Sequence, residues 1–215
     1  MTDWRTTRIA MLDCETTGKD PNTERIVEVA CVIAEGGEII ASKSWLVHPQ
    51  CSIPPDTTAI HGITDAMVRG APAFADVALD LFSMVGEAIP AAYNAPFDRS
   101  FISAEWDRLG LDVPPFALLA STKWIDPLVW IRRAQKYEKS KKLGDVARRM
   151  NIDAGEAHRA TSDAETALRI LFKLGTDRRM PATLDDLLAR QVVLAAEQEA
   201  DYAAWRARKD AAGGR

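Results

Sequence analysis

Two acidic residues stand at the end of an apolar stretch near the beginning of the chain. Asp13 and Glu15 follow the run that starts at Arg8, and only Cys14 separates them. Because side chains alternate between the two faces of a β-strand, both carboxylates are predicted to point to the same side. Two adjacent carboxylates repel each other unless one is protonated or a cation lies between them. The pair therefore indicates a site for a hard cation such as Mg²⁺ or Mn²⁺, with a solvated strand end as the alternative.

A third carboxylate, Asp98, lies at the start of a predicted helix. The apolar spacing predicts this helix over residues 96–109, and Asn94 is placed to cap it. The positive end of a helix favours an ionised carboxylate. Helix stabilisation therefore explains Asp98 as well as a role in a site does.

A fourth carboxylate, Asp163, lies in the first turn of the most clearly predicted helix, over residues 162–174. Ser162 and Glu165 predict a capping box at its start. His158 precedes Asp163 by five residues. Taken alone, Asp163 is again explained by helix stabilisation, and a lone loop histidine is usually structural.

The ordered pattern of these residues resembles the DEDDh 3′-to-5′ exonucleases, the family that includes the proofreading epsilon subunit of bacterial DNA polymerase III. Three blocks carry the resemblance, and they are residues 12–18, 93–98 and 158–164. Residues 60–64 also resemble a segment of the family, and the resemblance extends from residue 8 to about residue 175. The sister DEDDy group has a tyrosine four residues before the last aspartate. Arg159 occupies that position here, so His158 indicates the histidine subclass.

The resemblance implies two divalent ions, Mg²⁺ or Mn²⁺, in one active site. Asp13, Glu15 and Asp163 would hold one ion. Asp13 would share the second ion with the scissile phosphate, and Asp98 would support it through water. His158 would act as the general base, because histidine titrates near neutral pH. The implied reaction releases nucleoside 5′-monophosphates from the 3′ end of a single strand.

The resemblance also implies contacts with the terminal nucleotide. Thr16 and Ile60 are the first candidates, with a turn residue and a buried loop anchor as the structural alternatives. Further candidates are Thr17, His61, Tyr93, Asn94 and Phe97. The alternative for His61 is a loop histidine, and that for Phe97 is a core residue. Many relatives have histidine at the position of Tyr93. A neutral phenol cannot supply the positive charge of a protonated histidine, so the contacts with the terminal phosphate are expected to differ from those of the relatives.

The remaining pattern predicts the elements that position these residues. Apolar runs, rich in Val and Ile after residue 24, predict strands 8–14, 25–34 and 38–47, with a Gly36-Gly37 hairpin between the last two. A loop at 49–55 and helices near 64 and 72 follow. In the second half, short strand-like runs predict strands 91–94 and 121–126, and helical periods predict helices 96–109, 140–150, 162–174 and 184–209. This order predicts an α/β fold, a mixed sheet with helices on both faces. By resemblance, the fold is a ribonuclease H-like sheet of five strands.

Composition indicates an ordinary globular protein. The 215 residues are 47% hydrophobic and 27% charged, as in a single globular domain. The resemblance implies an exonuclease domain over residues 1–180, and the helical period from Leu184 onward predicts a helical appendage and tail over residues 181–215. The three cysteines lack CxxC spacing and a histidine cluster, so they are interpreted as reduced cytosolic thiols. No apolar run of membrane-spanning length and no signal peptide is present, so we expect a cytoplasmic protein without membrane contact.

The charge distribution is uneven. A formal net charge of −4 argues against a protein that coats nucleic acid through a broad positive field. It is compatible with a nuclease whose bound cations attract phosphate. Residues 132–149 are strongly basic, which predicts either a surface that faces a nucleic-acid backbone or a solvated face.

Two alternatives remain open from the sequence. An exoribonuclease or oligoribonuclease of the same fold has the same motifs, because selection against the 2′-OH depends on the shape of the site. We predict DNA as the favoured substrate and RNA as the alternative. A noncatalytic module that docks on a polymerase is the alternative from another class. Its docking element would be the C-terminal helix, where residues 191–194 weakly resemble a clamp-binding peptide that lacks the aromatic residue.

Overall fold

A computed structural model shows a mixed β-sheet with helices packed on both of its faces. The structure describes residues 2–110, 124–155 and 159–213. Within them the sheet has four strands, β1 (Ile9–Thr16), β2 (Ile26–Glu35), β3 (Glu38–Leu46) and β4 (Ile89–Ala91). β1, β2 and β3 form an antiparallel meander, and β4 pairs with β1 in parallel, so the strand order is β3-β2-β1-β4. The predicted α/β class is confirmed.

The fifth strand is not found in the described residues. Part of the predicted strand, residues 121–123, lies outside them. Of the remainder, Ile125 forms only an isolated parallel bridge with Ala91. Pro127 follows two residues later and begins a helix, which ends the extended segment. Within the described residues the sheet has four strands, so the prediction of five strands is not confirmed.

The turn between β2 and β3 follows from its two glycines. Gly36 and Gly37 have φ angles of 59° and 89°, in the left-handed region that a hairpin turn of this type requires. No Cβ atom opposes this conformation in glycine. The predicted hairpin is confirmed.

Eight α-helices lie in the described residues. They are α1 (Pro55–His61), α2 (Asp65–Val68), α3 (Phe74–Val85), α4 (Ala95–Arg108), α5 (Pro127–Ala134), α6 (Leu143–Arg149), α7 (Ala160–Gly175) and α8 (Leu184–Gly213). The sequence did not predict α1 and α5. Both begin at a proline, Pro55 and Pro127, a residue that is favoured in the first helical turn. Pro55 lies at the end of the segment that the sequence predicted as a loop.

Alternate residues of β1 pack into two separate cores. Ala10 and Leu12 contribute to the core beneath α3 and α4. Ile9 and Met11 contribute to the core beneath α5, α6 and α7. Because side chains continue to alternate along the strand, Asp13 faces the same side of the sheet as Ile9 and Met11, which is the side that α7 covers.

The first half of α8 packs on the second core. Leu187 is fully buried and Leu194 is 2% exposed. The side chain of Gln191 accepts hydrogen bonds from the Asp126 amide (2.8 Å) and the Trp130 indole (3.3 Å). A clamp-binding peptide needs Gln191 and Leu194 exposed, so that hypothesis is wrong for this conformation. The division of the chain at residue 180 stays a prediction.

None of the helices in the described ranges combines the length and apolarity that a membrane span requires. The helices instead carry polar faces toward solvent, as α3 and α7 do.

Candidate active site

Three of the four predicted carboxylates converge where β1 ends beneath α7. Oxygen atoms of Asp13, Glu15 and Asp163 lie within 4.8 Å of one another, and all three residues are half-buried. Asp13 and Glu15 share one face of β1 because they are two residues apart. Asp163 reaches them from the first turns of α7, a helix that packs across β1 and β2. Distant parts of the sequence thus form one acidic cluster.

The fourth carboxylate, Asp98, joins the cluster from the opposite side of the strand. Its side chain on α4 is 3% exposed, and its Oδ1 accepts a hydrogen bond from the Cys14 amide at 2.9 Å. Cys14 separates Asp13 from Glu15, so this bond attaches Asp98 directly between the two strand carboxylates. Burial and the charge of Asp98 both raise the pKa of Asp13.

The start of α4 is capped differently from the sequence prediction. Asn94 makes no side-chain cap bond, and its backbone adopts a left-handed conformation with a φ of 76°. The cap is Asp126, whose carboxylate accepts hydrogen bonds from the amides of Asn94 (3.0 Å) and Ala95 (3.1 Å). The predicted Asn94 cap is therefore wrong, because a residue 32 positions away in sequence satisfies the free amides instead.

The start of α7 also differs from the prediction. The helix begins at Ala160 with Arg159 as its N-cap residue, so the capping box of Ser162 and Glu165 is wrong. Glu165 instead pairs with Arg169 one turn later, at 3.3 Å. Asp163 remains within the first turns of the helix.

A fifth carboxylate, Glu28, lies next to the cluster, and sequence analysis did not identify it. Glu28 is directly opposite Glu15 in the β1–β2 register and is 1% exposed. Its Oε1 lies 3.6 Å from the Arg159 guanidinium, and its Oε2 lies 3.5 Å from the Ala160 amide. A single acidic residue inside an apolar strand was the available signal. Glu28 connects the sheet to the segment that precedes α7.

Burial and mutual repulsion raise the pKa values of the cluster. Burial, followed by the charges of Asp98, Glu15 and Asp163, holds the pKa of Asp13 well above its usual range. Burial and the charges of Asp163 and Glu28 raise the pKa of Glu15 to about 7. Burial raises the pKa of Asp98 to about 8, although the Cys14 amide opposes this shift. Without a compensating cation, the site therefore favours protonated carboxyl groups near neutral pH.

The donor set suits divalent cations. All four converging side chains offer carboxylate oxygen, the hard ligand that Mg²⁺ and Mn²⁺ prefer. A divalent ion would relieve the repulsion that raises these pKa values. The family that these motifs resemble depends on divalent metal, and the residues present fit that dependence.

The two threonines after Glu15 shape the turn that leaves β1. Thr16 is 7% exposed and donates to the Gly18 carbonyl at 2.6 Å. Thr17 is 1% exposed, donates to Glu24 and accepts from the Arg25 amide at 2.9 Å. These bonds agree with the turn-residue alternative and leave substrate contact a prediction.

The other candidate contact residues differ in exposure. Ile60 on α1 is 56% exposed, which contradicts the buried-anchor alternative. His61 is buried, and its Nδ1 accepts from the Ile63 amide at 3.0 Å. Phe97 is half-buried with its ring 4.9 Å from that of Phe101, in agreement with a role in the core. An exposed apolar side chain such as Ile60 is available to contact a base.

Tyr93 and His158 complete the set of predicted site residues. The Tyr93 hydroxyl donates to the Lys141 carbonyl at 2.6 Å. It therefore attaches the loop before α6 to the second motif. His158 lies outside the described residues, and its role as general base stays a prediction.

The raised pKa values predict how stability depends on pH without metal. Glu15 moves from an ordinary pKa of 4.5 to about 7 on folding, and Asp98 moves from 3.8 to about 8. From about pH 3.8 to about pH 8 the folded protein therefore binds more protons than the unfolded chain. The free energy of unfolding consequently falls as pH rises through this window. We expect urea unfolding in EDTA to show a falling free energy of unfolding across this window. With Mn²⁺ in place of EDTA, we expect the free energy of unfolding to be restored at the alkaline end.

A Glu15→Gln variant is the matched control for this measurement, because it removes one titrating group and keeps the side-chain shape. Its stability in EDTA is expected to depend less steeply on pH. Wild-type stability that stays constant or rises across the window contradicts the description of the site.

Comparison with known protein sequences extends the local resemblance to most of the chain. Residues 10–171 match the exonuclease family model. The chain is 32% identical over 164 residues to the PolC-type DNA polymerase III of Latilactobacillus sakei, covering 76% of this chain and 11% of the polymerase. It is 27% identical over 167 residues to the 3′-5′ exonuclease DinG of Staphylococcus haemolyticus, covering 78% and 18%. The chain thus spans less than a fifth of these curated relatives.

Solved structures have the same fold. Exonuclease X in complex with 5′ overhanging duplex DNA matches with a TM-score of 0.65 and 26% identity, covering 84% of this chain and 98% of that chain. The nuclease domain of 3′hExo, a DEDDh family member bound to rAMP, has a TM-score of 0.69 at 21% identity and covers 82% and 96%. The ribonuclease H-like fold is confirmed. Because the family match spans residues 10–171 and includes all four acidic positions, the chain belongs to the exonuclease family, as its motifs predicted.

Proposed function

We propose that the protein is a metal-dependent 3′-to-5′ exonuclease that converts single-stranded DNA ends to nucleoside 5′-monophosphates. The observation that carries this proposal is the convergence of Asp13, Glu15 and Asp163 within 4.8 Å, with Asp98 bonded between the first two. A structural role does not explain this arrangement, because it opposes folding at neutral pH. Two Mg²⁺ or Mn²⁺ ions at the cluster would activate the attacking water and stabilise the departing 3′ oxygen.

The residues of the chain have separate tasks in this proposal. Asp13, Glu15 and Asp163 would hold one ion, while Asp13 and Asp98 would support the other. His158 takes a proton from the attacking water. The water oxygen then bonds to phosphorus, and the bond from phosphorus to the 3′ oxygen breaks. The departing 3′ oxygen takes a proton from solvent, so the strand is left with a 3′ hydroxyl. The released nucleotide keeps the phosphate on its 5′ carbon.

The terminal nucleotide is expected to lie between β1 and α1. Ile60 on α1 presents an exposed apolar side chain, and Thr16 and Thr17 form the turn that leaves β1. Asn94 is exposed at the start of α4. An apolar side chain that contacts a base face accepts any base, which suits an exonuclease without sequence preference.

DNA remains the favoured substrate and RNA the alternative. Exonuclease X was solved with duplex DNA that has a 5′ overhang, whereas the 3′hExo domain was solved with rAMP, so the fold itself does not select the sugar. A polymerase partner is suggested by the PolC-type relatives, which carry the similar segment within a much longer chain. Proofreading and repair are both compatible with this context. A noncatalytic docking module is disfavoured by the acidic cluster.

A substrate panel tests the proposed activity. End-labelled single-stranded DNA, duplex DNA with a mismatched 3′ terminus and RNA are incubated with Mg²⁺, Mn²⁺ or EDTA. We expect stepwise shortening from the 3′ end with either metal, release of 5′-monophosphates, and no reaction in EDTA. Shortening that continues in EDTA contradicts the proposal. The Asp13→Ala variant tests the metal site in the same assay. An inactive wild-type protein also contradicts the proposal if this variant is equally folded and binds Mn²⁺ equally well.

Substitution of His158 tests the general base separately from the metal site. His158→Ala is expected to bind Mn²⁺ as the wild type does and to lose about 10²- to 10⁴-fold in kcat, the usual value of general-base assistance. His48→Ala is the matched histidine control. Calorimetric Mn²⁺ binding and kcat are measured together, and an unchanged kcat removes His158 from the mechanism.

A further inference from the structure

An unbalanced cluster of positive charge lies beside the second motif. Residues 132–149 contain eight basic residues and two acidic ones. Both acidic side chains are paired within the segment, Glu138 with Arg149 at 4.0 Å and Asp145 with Arg148 at 3.0 Å. Six cations form no ion pair with any residue that the structure describes. We call them the basic ridge, and they are Arg132, Arg133, Lys136, Lys139, Lys141 and Lys142.

An exposed aromatic ring stands within the basic ridge. Tyr137 is 94% exposed, so packing in the fold does not explain its ring. Lys136 and Lys139 on either side are exposed as well. Cations that alternate with an exposed aromatic ring are typical of surfaces that bind single-stranded nucleic acid, where phosphates contact the cations and a base stacks on the ring.

The basic ridge is attached to the active site. The Tyr93 hydroxyl donates to the Lys141 carbonyl at 2.6 Å, and Tyr93 directly precedes the turn that begins α4. Asp126 holds that same turn and begins α5, the helix that carries Arg132 and Arg133. The positions of the ridge and of Asp98 on α4 are therefore coupled through two short connections.

A groove of about 1060 Å³ lies between the start of α4 and the basic ridge. It extends from Asn94 and Pro96 to Arg132, Lys136 and Tyr137 on the side of α5. Another wall of the groove belongs to α8 and contains acidic residues, namely Glu197, Glu199 and Asp201. An anionic strand is repelled by that wall and attracted by the other, so charge selects the side along the ridge.

We propose that the basic ridge binds the phosphates of the substrate strand upstream of its 3′ end, with a base stacked on Tyr137. This proposal rests on the exonuclease function and names where the rest of the substrate lies. The contacts are with phosphates and a base face, so they do not depend on sequence or on the sugar. They increase affinity for long strands and take no part in breaking the scissile bond.

Two substrates of different length separate this surface from the active site. One is a single DNA strand of about 20 nucleotides, longer than the usual length of such sites. The other is the p-nitrophenyl ester of thymidine 5′-monophosphate, which is too short to reach the ridge. The test variant carries Lys136→Gln, Lys139→Gln and Lys142→Gln. The matched control carries three equivalent changes at exposed cations elsewhere, namely Arg69→Gln, Lys173→Gln and Arg190→Gln.

For the long strand, the test variant is expected to raise KM about tenfold and to leave kcat unchanged. The slope of log KM against log salt concentration should fall by about 2, because up to three phosphate contacts are lost. Hydrolysis of the ester should stay at the wild-type rate, and the control variant should match the wild type with both substrates. If the test variant has the same KM and the same salt dependence as the wild type, the proposal is overturned. The ridge would then serve another partner, such as an acidic protein.

Binding without catalysis tests the surface even if the proposed activity is absent. Fluorescence anisotropy of the labelled strand in EDTA is expected to show weaker binding for the test variant and for Tyr137→Ala than for the wild type and the control. Equal affinities in all four proteins overturn the proposal. A wild-type protein that hydrolyses neither substrate with Mn²⁺ instead refutes the exonuclease function, while anisotropy still reports on the ridge.

Discussion

Repulsion among closely spaced carboxylates is the constraint on which the rest of this structure depends. Asp13, Glu15 and Asp163 offer oxygens within 4.8 Å of one another, with Asp98 and Glu28 beside them. Burial strengthens the repulsion, because little water remains to screen it. The result is raised pKa values in the protein alone and a strong local demand for cations. A site that is unfavourable for folding is expected where function requires it.

The scaffold holds this arrangement through buried polar bonds. Asp126 holds the start of α4, and the Cys14 amide holds Asp98. Further along α4, Glu105 is 1% exposed and forms a bidentate pair with Arg25 at 2.7 and 2.9 Å, which fixes the helix to the start of β2. Each bond joins residues that are distant in sequence. The acidic cluster is thus positioned by tertiary contacts, and the apolar cores on both sides of β1 keep those contacts rigid.

Local sequence pattern predicted most of the elements but missed α1 and α5, and it placed the ends of several elements wrongly. The alternation in β1 correctly placed Asp13 and Glu15 on one face, and the motifs identified the other two carboxylates. Glu28 was missed because its position beside Glu15 depends on strand register, which a single sequence does not reveal. The cap of α4 was assigned wrongly because Asp126 acts from another part of the chain. Long-range contacts, rather than propensity, decided these features.

The most direct test of the account is anomalous diffraction from crystals grown with Mn²⁺, recorded near the manganese absorption edge. The account predicts two peaks about 3.5 to 4 Å apart, one between the oxygens of Asp13, Glu15 and Asp163 and the other on the side of Asp98. If the acidic cluster holds no manganese at saturating concentration, the central claim is contradicted.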